Sequence, residues 1–234
     1  NVAGSNREIA RVDTKTDTTR SLGWTAGVLF QPGTAFSLGL SHHSAIDVDY
    51  DGVGKLEQIL TGDTQLDQLV AAAFPFNQDL PVSSSFTFPA QTSAGVTFSP
   101  SRSWMFALDA TQTNWSDSGD VQFLYPNSRV LDRTYALDAE NTLDLRGGVR
   151  YRFPTGPQLR FGYAVEKSPL TDVAISAFMP DADRTTMTAG VGLDWLDVAI
   201  GWTTYKQRIV TTSAEGFNGT LPANSWTALL TVTK

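Results

Sequence analysis

Cysteine and histidine, two side chains that often carry nucleophilic, acid–base and metal chemistry, are nearly missing from this chain. The 234 residues include no cysteine and only two histidines, the adjacent His42 and His43. Without thiolates or a third histidine, a Cys-ligated zinc site and a multi-histidine metal centre are excluded. A serine hydrolase needs a nucleophile held against a histidine, and no G-x-S-x-G motif is present. The sequence therefore predicts no catalytic residue, no metal site, no cofactor and no enzyme activity.

One acidic segment resembles the start of a calcium-binding loop. Asp47, Asp49 and Asp51 alternate with other residues and are followed by Gly52, as in an EF-hand loop. The twelfth position of such a loop is a bidentate glutamate, but here it is Gln58. We interpret the segment as a strand that runs into an acidic loop.

Charge and hydropathy exclude two further classes of protein. A net charge of −7 and a pI of about 4.7 argue against a nucleic-acid partner, because phosphate binding needs clustered Lys and Arg. No apolar run reaches the roughly 18 to 20 residues that a membrane helix needs. If this chain belongs to a membrane protein, it must cross the bilayer with strands.

The remaining charged residues lie mostly in stretches where apolar and polar residues alternate. The clearest stretch is 141–170, where the alternation is interrupted by the turn at 154–157. A period of two predicts strands, and two such strands around a short turn predict an antiparallel hairpin. One face of the predicted strands is apolar, and the other carries charges that we expect to form ion-pair networks: Arg146, Arg150, Arg152, Arg160, Asp109, Asp144, Asp194 and Glu166.

The same alternation suits two kinds of protein. In a soluble β-sandwich the apolar face is the inside. In a membrane barrel the apolar face contacts lipid and the charged face lines a hydrated lumen. The choice between these two arrangements decides the function.

The order of strands and connections favours the barrel. Alternation predicts nine strands beginning near residues 22, 36, 86, 104, 143, 159, 187, 198 and 226. The connections after the odd strands are short, including a tight turn at Leu196 and Asp197, and those after the even strands are long. All long connections then lie at one end, as the extracellular loops of outer-membrane barrels do. We predict irregular structure for the extracellular loop 1–20 and two short helices in the extracellular loop 51–84.

Nine strands do not complete a barrel in a bacterial membrane. Single-chain barrels there have even strand numbers, and an open edge in lipid leaves backbone groups unpaired. We therefore expect residues 1–234 to be a single barrel domain fragment, whose partner is a missing N-terminal portion of the same barrel.

Several segments resemble one known family. The runs GWTAGVLFQPG, LGLSHHSAIDVDYDG, SAGVTFSPSRSWMFALDATQTNWSD, RGGVRYRF, LRFGYAVEKSPLTD, PDADR and GFNGT are similar in order and spacing to the C-terminal part of the FadL family of long-chain fatty acid transporters. The resemblance implies an all-β, transmembrane antiparallel barrel of 14 strands, of which this chain carries the last nine. It also implies an N-terminal hatch that is absent from this sequence, and a bacterial outer membrane with its lipid and lipopolysaccharide as surroundings.

The resemblance further implies passive uptake of hydrophobic molecules. The family captures a ligand in a groove among extracellular loops, binds it in a lumen pocket and releases it by lateral diffusion. The expected ligand is a long-chain fatty acid, an aromatic hydrocarbon or a detergent. The alternative function is a non-specific water-filled porin, and a soluble β-sandwich binding module is a third. The capture groove would be lined by apolar residues of the 51–84 loop, which would otherwise only pack its helices together: Leu56, Ile59, Leu60, Leu66, Leu69, Val70, Phe74 and Phe76.

His43 is the candidate for contact with the ligand head group. By strand parity it faces the lumen, in a segment where the family carries a basic residue that contacts the ligand. A histidine in place of the more usual arginine predicts a weaker, pH-dependent contact or an uncharged ligand. A histidine that is merely hydrogen-bonded within the lumen network fits the same pattern.

Overall fold

The computed structural model describes residues 8–176, 179–214, 216–221 and 224–232. These form two compact units. The small unit comprises residues 8–21, Asp47–Phe86 and Asp120–Tyr135, and the large unit comprises Leu22–Ile46, Thr87–Gly119 and the residues from Ala136 onward. No helix in the described part of the chain combines the length and apolar character needed to span a membrane.

Most of the described residues lie in strands. One α-helix, α1 (Thr64–Ala73), follows the fourth strand, and short 3-10 helices span Trp115–Ser118 and Arg129–Leu131. In chain order the strands are β1 (Ala10–Thr16), β2 (Thr25–Phe30), β3 (Phe36–His43), β4 (Ile46–Gln58), β5 (Asp79–Phe88), β6 (Gln91–Phe98), β7 (Trp104–Thr113), β8 (Val121–Leu124), β9 (Arg133–Tyr135), β10 (Thr142–Arg152), β11 (Gln158–Glu166), β12 (Arg184–Gly192), β13 (Leu196–Tyr205), β14 (Arg208–Val210), β15 (Gly219–Leu221) and β16 (Asn224–Val232).

The large unit is built on one nine-stranded antiparallel sheet, in the order β2-β3-β6-β7-β10-β11-β12-β13-β16. This confirms the predicted number of strands and the predicted hairpin. In that hairpin Val149 lies opposite Phe161, and on the other side of β10 it lies opposite Phe106. Because directly opposed residues point to the same face of a sheet, the register collects the apolar side chains on one face.

The apolar face of this sheet is open to the surroundings. Leu145, Phe161 and Val191 are 47%, 51% and 44% exposed, whereas the opposite face buries Thr111 and Thr142 at 5% each. A soluble sandwich would cover its apolar face with a second sheet. The predicted sidedness, with the apolar face outward, is therefore confirmed within the large unit.

The connections of the nine-stranded sheet also follow the prediction, with one correction. The short ones span 31–35, 99–103, 153–157 and 193–195, while 44–90, 114–141, 167–183 and 206–223 are long. The turn predicted at Leu196 and Asp197 is wrong, because both residues already pair with β16. Asp194 consequently lies in the 193–195 turn and not on the charged face of a strand.

The small unit contains a five-stranded sheet that alternation did not reveal. Its order is β1-β4-β5-β8-β9. The irregular structure predicted for 1–20 is wrong for Ala10–Thr16, which pairs with Gly52–Gln58; residues 1–7 lie outside the described part. The prediction of two helices in 51–84 is also wrong: α1 is one helix, and β4 and β5 occupy most of the rest. Strand pairing between distant segments overrode the local helical spacing.

The core of the small unit and the start of α1 fix the fold of this segment. Leu56, Leu80, Val82, Tyr125 and Leu131 form one buried cluster.

Asp63 caps α1 by accepting bonds from the backbone N–H groups of Gln65 and Leu66 at 3.0 and 3.2 Å. Asp67 accepts from the backbone N–H and the hydroxyl of Thr61 at 2.9 and 2.8 Å, and these bonds lower the pKa of its carboxyl.

Candidate functional site

The charged face of the nine-stranded sheet carries a network of ion pairs. Glu166 accepts from Arg146 and from Arg184, each at 2.7 Å. Arg146 also lies 3.6 Å from Asp109 and 3.7 Å from Asp144. These contacts join β7, β10, β11 and β12 near their long-connection ends, and they confirm the predicted network for these residues.

The charges nearer the short turns are paired less completely. Arg160 donates to Asp197 at 2.8 Å. Arg150 and Arg152 make no ion pair within the described residues, so the predicted network is wrong for these two. The side-chain Nε of Arg150 is shielded from solvent and has no acceptor there.

Two members of the ion-pair network were missed by the sequence reasoning. Arg184 lies directly opposite Glu166 in the β11–β12 register, and Asp197 was assigned to a turn. Counting the alternation of β12 back from Met187 would have placed Arg184 on the polar face. For Asp197 the sequence offers no comparable signal, because the face on which its side chain lies depends on where the 193–195 turn ends and β13 begins.

The two histidines lie on opposite faces of β3. His43 is exposed on the polar face, where its Nδ1 lies 2.9 Å from the hydroxyl of Thr25. The His42 ring lies on the apolar face, 5.0 Å from the Trp24 ring, and bonds the hydroxyl of Thr92. His43 is thus on the face that the sequence predicted and is directed away from the apolar face.

The eight predicted groove residues all lie in the small unit but differ in exposure. Leu56 and Val70 are buried, at 1% and 6% exposed. Phe74 and Phe76 pack against the buried cluster, and Ile59 and Leu66 are half-buried. Leu60 and Leu69 are 74% and 70% exposed. The buried residues therefore stabilise the unit, and Leu60 and Leu69 are the predicted groove residues that expose most of their side chains to solvent.

The described residues offer no metal centre. Within them, no group of three or more histidine, aspartate or glutamate side chains is arranged to hold an ion. Asp47, Asp49 and Asp51 of the calcium-like segment all belong to β4. The chemistry available on the polar face is thus ion pairing and hydrogen bonding.

Comparison with known proteins assigns these features to a family. The sequence profile of the family described as "Outer membrane protein transport protein (OMPP1/FadL/TodX)" matches residues 1–232. The chain belongs to this family. Membership confirms the predicted outer-membrane location, and the members of this family are described as transport proteins, not as enzymes.

Solved structures of the FadL/TodX family share the fold. A Pseudomonas aeruginosa FadL homologue is 21% identical with a TM-score of 0.67, and the match covers 88% of this chain and 49% of that one. The CymD monoaromatic hydrocarbon channel is 18% identical with a TM-score of 0.52, and the match covers 80% of this chain and 47% of that one. The Pseudomonas putida toluene transporter TodX is 16% identical with a TM-score of 0.54, and the match covers 94% of this chain and 52% of that one. No curated protein sequence matched significantly.

These matches confirm the predicted fold class, a transmembrane antiparallel β-barrel of the FadL type. The chain spans about half the length of the structures it matches. The nine-stranded sheet is accordingly part of a barrel wall.

Proposed function

We propose that the complete protein takes up hydrophobic molecules passively across the outer membrane. The observation that carries this proposal is the FadL/TodX match over 1–232. Related structures include a toluene transporter and a monoaromatic hydrocarbon channel. The substrate class is therefore long-chain fatty acids or aromatic hydrocarbons.

The first step is capture on the small unit. Leu60 and Leu69 hold their side chains in solvent, on a unit that has its own buried cluster. Covering such side chains with an alkyl chain is favourable by roughly 0.8 kcal/mol per methylene buried. The other six groove residues shape this surface. The ligand then binds in the lumen of the complete barrel and leaves by lateral diffusion.

The surroundings of the barrel follow from its exposed surfaces. The apolar face of the nine-stranded sheet contacts outer-membrane lipid and lipopolysaccharide. In the described residues β2 pairs with β3 alone and β16 with β13 alone within this sheet. The free edges of β2 and β16 pair with strands from the N-terminal portion of the complete protein, because unpaired backbone groups are costly in lipid.

Replacing both exposed leucines tests the capture step. We expect Leu60→Asp with Leu69→Asp to lower uptake of a labelled long-chain fatty acid and of toluene about tenfold, because two carboxylates replace the apolar contact surface. The measurement is uptake by cells that express the full-length protein at wild-type level in the outer membrane. Gln68→Asp, on the same helix, adds a charge without removing an apolar side chain and should leave uptake unchanged.

Unchanged uptake in the double variant would contradict capture on this surface. A non-specific porin is the alternative function, and the glycines and charges of the polar face suit it. A porin would pass small sugars at comparable rates, and its uptake of toluene would not be inhibited by fatty acids.

His43 is proposed to contact the head group of an acidic ligand. We expect His43→Ala to lower fatty acid uptake about threefold and to leave toluene uptake unchanged, because only the acid has a head group that accepts a hydrogen bond. Thr25→Val removes the hydroxyl that bonds His43 but keeps the imidazole ring. It therefore shows whether uptake depends on the orientation of the ring or only on its presence. An equal effect of His43→Ala on both substrates would exclude the head-group role.

A further inference from the structure

A polar cavity lies at the end of the nine-stranded sheet where the long connections leave it. Its volume is about 480 Å³, and it is formed by residues that follow β11, precede β12 and follow β13. The polar side chains that line it include Glu140, Lys167, Thr171, Asp183, Lys206 and Gln207. Ammonium, carboxylate, amide and hydroxyl groups thus meet in one space that is large enough for a small polar group.

The two lysines of this cavity lie on the lipid-facing side of the sheet. Lys167 directly follows Glu166, whose side chain belongs to the polar face. Trp202 lies on the apolar face of β13, and Lys206 is four residues further along. The Lys206 backbone N–H donates to the Asp183 carbonyl at 2.8 Å and so extends the pairing of β12 with β13. Because alternate residues of a strand share a face, both lysines are on the side that contacts lipid.

The charges of these lysines are weakly compensated. The Lys206 side chain is 77% exposed and its ammonium lies 3.9 Å from Asp183, and exposed pairs of this kind contribute little. Lys167 is exposed and makes no ion pair within the described residues. The Asp172 carboxylate is held instead by Arg208 at 2.7 Å. Both ammonium groups are therefore available to an anion.

The position of the cavity within the sheet is independent of strands outside this chain. The strands β11, β12 and β13 each have both of their neighbours in the nine-stranded sheet. Strands from the N-terminal portion of the protein would join at β2 and β16, and β16 separates them from Lys206. The surroundings of the two lysines on the lipid-facing side are thus supplied by this chain and by the membrane.

An aromatic pair marks the level of the membrane surface below the cavity. The rings of Trp202 and Trp226 stack with their centroids 5.5 Å apart, and both side chains are exposed on the apolar face. Tryptophan collects at membrane–water interfaces, where its ring contacts acyl chains and its N–H group contacts polar groups. The long connections of such barrels are extracellular. The cavity therefore lies at the level of the head groups of the outer leaflet.

We propose that this cavity binds the phosphorylated sugar head of an outer-leaflet glycolipid of the lipopolysaccharide type. Lys167 and Lys206 donate charge-assisted hydrogen bonds to a phosphate, and the carboxylate, amide and hydroxyl groups of the lining bond the sugar hydroxyls. The acyl chains of the same molecule lie along the apolar face below. The inference rests on the proposed contact with lipopolysaccharide and does not depend on the proposed uptake.

The test compares hexa-acylated lipid A that carries two phosphates with the same lipid after removal of both phosphates. Binding of each to the full-length protein in detergent is measured by titration with native mass spectrometry. We expect Lys167→Ala with Lys206→Ala to weaken binding of the phosphorylated lipid about twentyfold, because each lysine near a membrane surface adds severalfold to the affinity for anionic lipid. Binding of the dephosphorylated lipid should stay within twofold.

Two further variants serve as controls. Lys167→Arg with Lys206→Arg keeps both charges, and binding of the phosphorylated lipid should stay within threefold of wild type. Arg102→Ala removes a positive charge from an exposed residue of the short 99–103 connection, at the other end of the sheet, and should leave binding unchanged. All substituted side chains are exposed, so these variants are expected to fold, and their thermal midpoints check this.

Other outcomes identify what fails. Unchanged binding of the phosphorylated lipid in the double alanine variant overturns the proposal, and so does an equal loss for both lipids. Wild-type protein that binds both lipids equally contradicts this inference alone, whereas wild-type protein that binds neither contradicts the proposed lipopolysaccharide contact as well. Uptake of toluene and fatty acid by the double alanine variant should equal that of wild type, and a matching loss of uptake would assign the lysines to transport instead.

Discussion

Leu56→Ala is expected to lower the free energy of unfolding of the small unit by about 3 kcal/mol. Leu56 is 1% exposed and packs in the cluster with Leu80 and Val82. The cluster is closely packed on this face of β4, since the Tyr125 ring lies against Gly54, where an added Cβ would be 2.8 Å from it. About 3 kcal/mol raises the population of the open unit roughly a hundredfold. Hydrogen exchange of the β4 and β5 amides, measured by mass spectrometry on the full-length protein, reports this change.

Val53→Ala provides the control on the same strand. Its side chain points to the opposite face of β4 and is 40% exposed, so the expected loss is under about 0.5 kcal/mol. If the small unit presents Leu60 and Leu69 to ligands, Leu56→Ala should also lower uptake, whereas Val53→Ala should not. Exchange rates that do not change in Leu56→Ala would show that the cluster does not hold this unit together.

Glu166→Gln is expected to destabilise the barrel by about 2 kcal/mol. Glu166 is the acceptor for both Arg146 and Arg184 at 2.7 Å. Gln retains the size of the side chain but loses the charge, so Arg184 loses its ion pair and Arg146 keeps only its longer contacts with Asp144 and Asp109. This expected loss of stability lies between the values typical of exposed and of buried ion pairs, because the two arginine side chains are 44% and 41% exposed. Urea unfolding of the full-length protein in lipid measures it.

Lys206→Ala is the matched control for an ion pair on the same unit. The Lys206 ammonium lies 3.9 Å from Asp183 and its side chain is 77% exposed, so its removal should change stability by less than about 0.5 kcal/mol. Equal effects of Glu166→Gln and Lys206→Ala would mean that the network around Glu166 adds nothing beyond a surface pair.

Tertiary pairing explains the parts of the fold that alternation missed. Strand β1 forms because Ala10–Thr16 pairs with residues of β4 some forty positions away, a partner that no local pattern indicates. Helical spacing in 51–84 predicted two helices, but only Thr64–Ala73, with Asp63 as its cap, is helical. Local helix propensity predicted the structure correctly where the sequence also supplies a capping residue. It failed where a distant strand supplies backbone hydrogen bonds to the segment.

The candidate sites show the same division. Parity on β3 placed His43 on the polar face from the sequence alone, because successive side chains of a strand point to opposite faces. Exposure could not be assigned in this way: Leu56 and Leu69 belong to the same apolar set, but one is buried and the other 70% exposed. Burial depends on which segments fold over a residue.

Alternation along the sequence was sufficient to predict the nine strands of the large sheet, their apolar and charged faces and the order of short and long connections. A strict period of two is a local property that every strand repeats, so no knowledge of partners is needed. Which charged side chains form ion pairs depends instead on how the strands pair. The register sets Glu166 opposite Arg184 but Arg150 opposite Arg160, and a shift of one residue in pairing would have changed both.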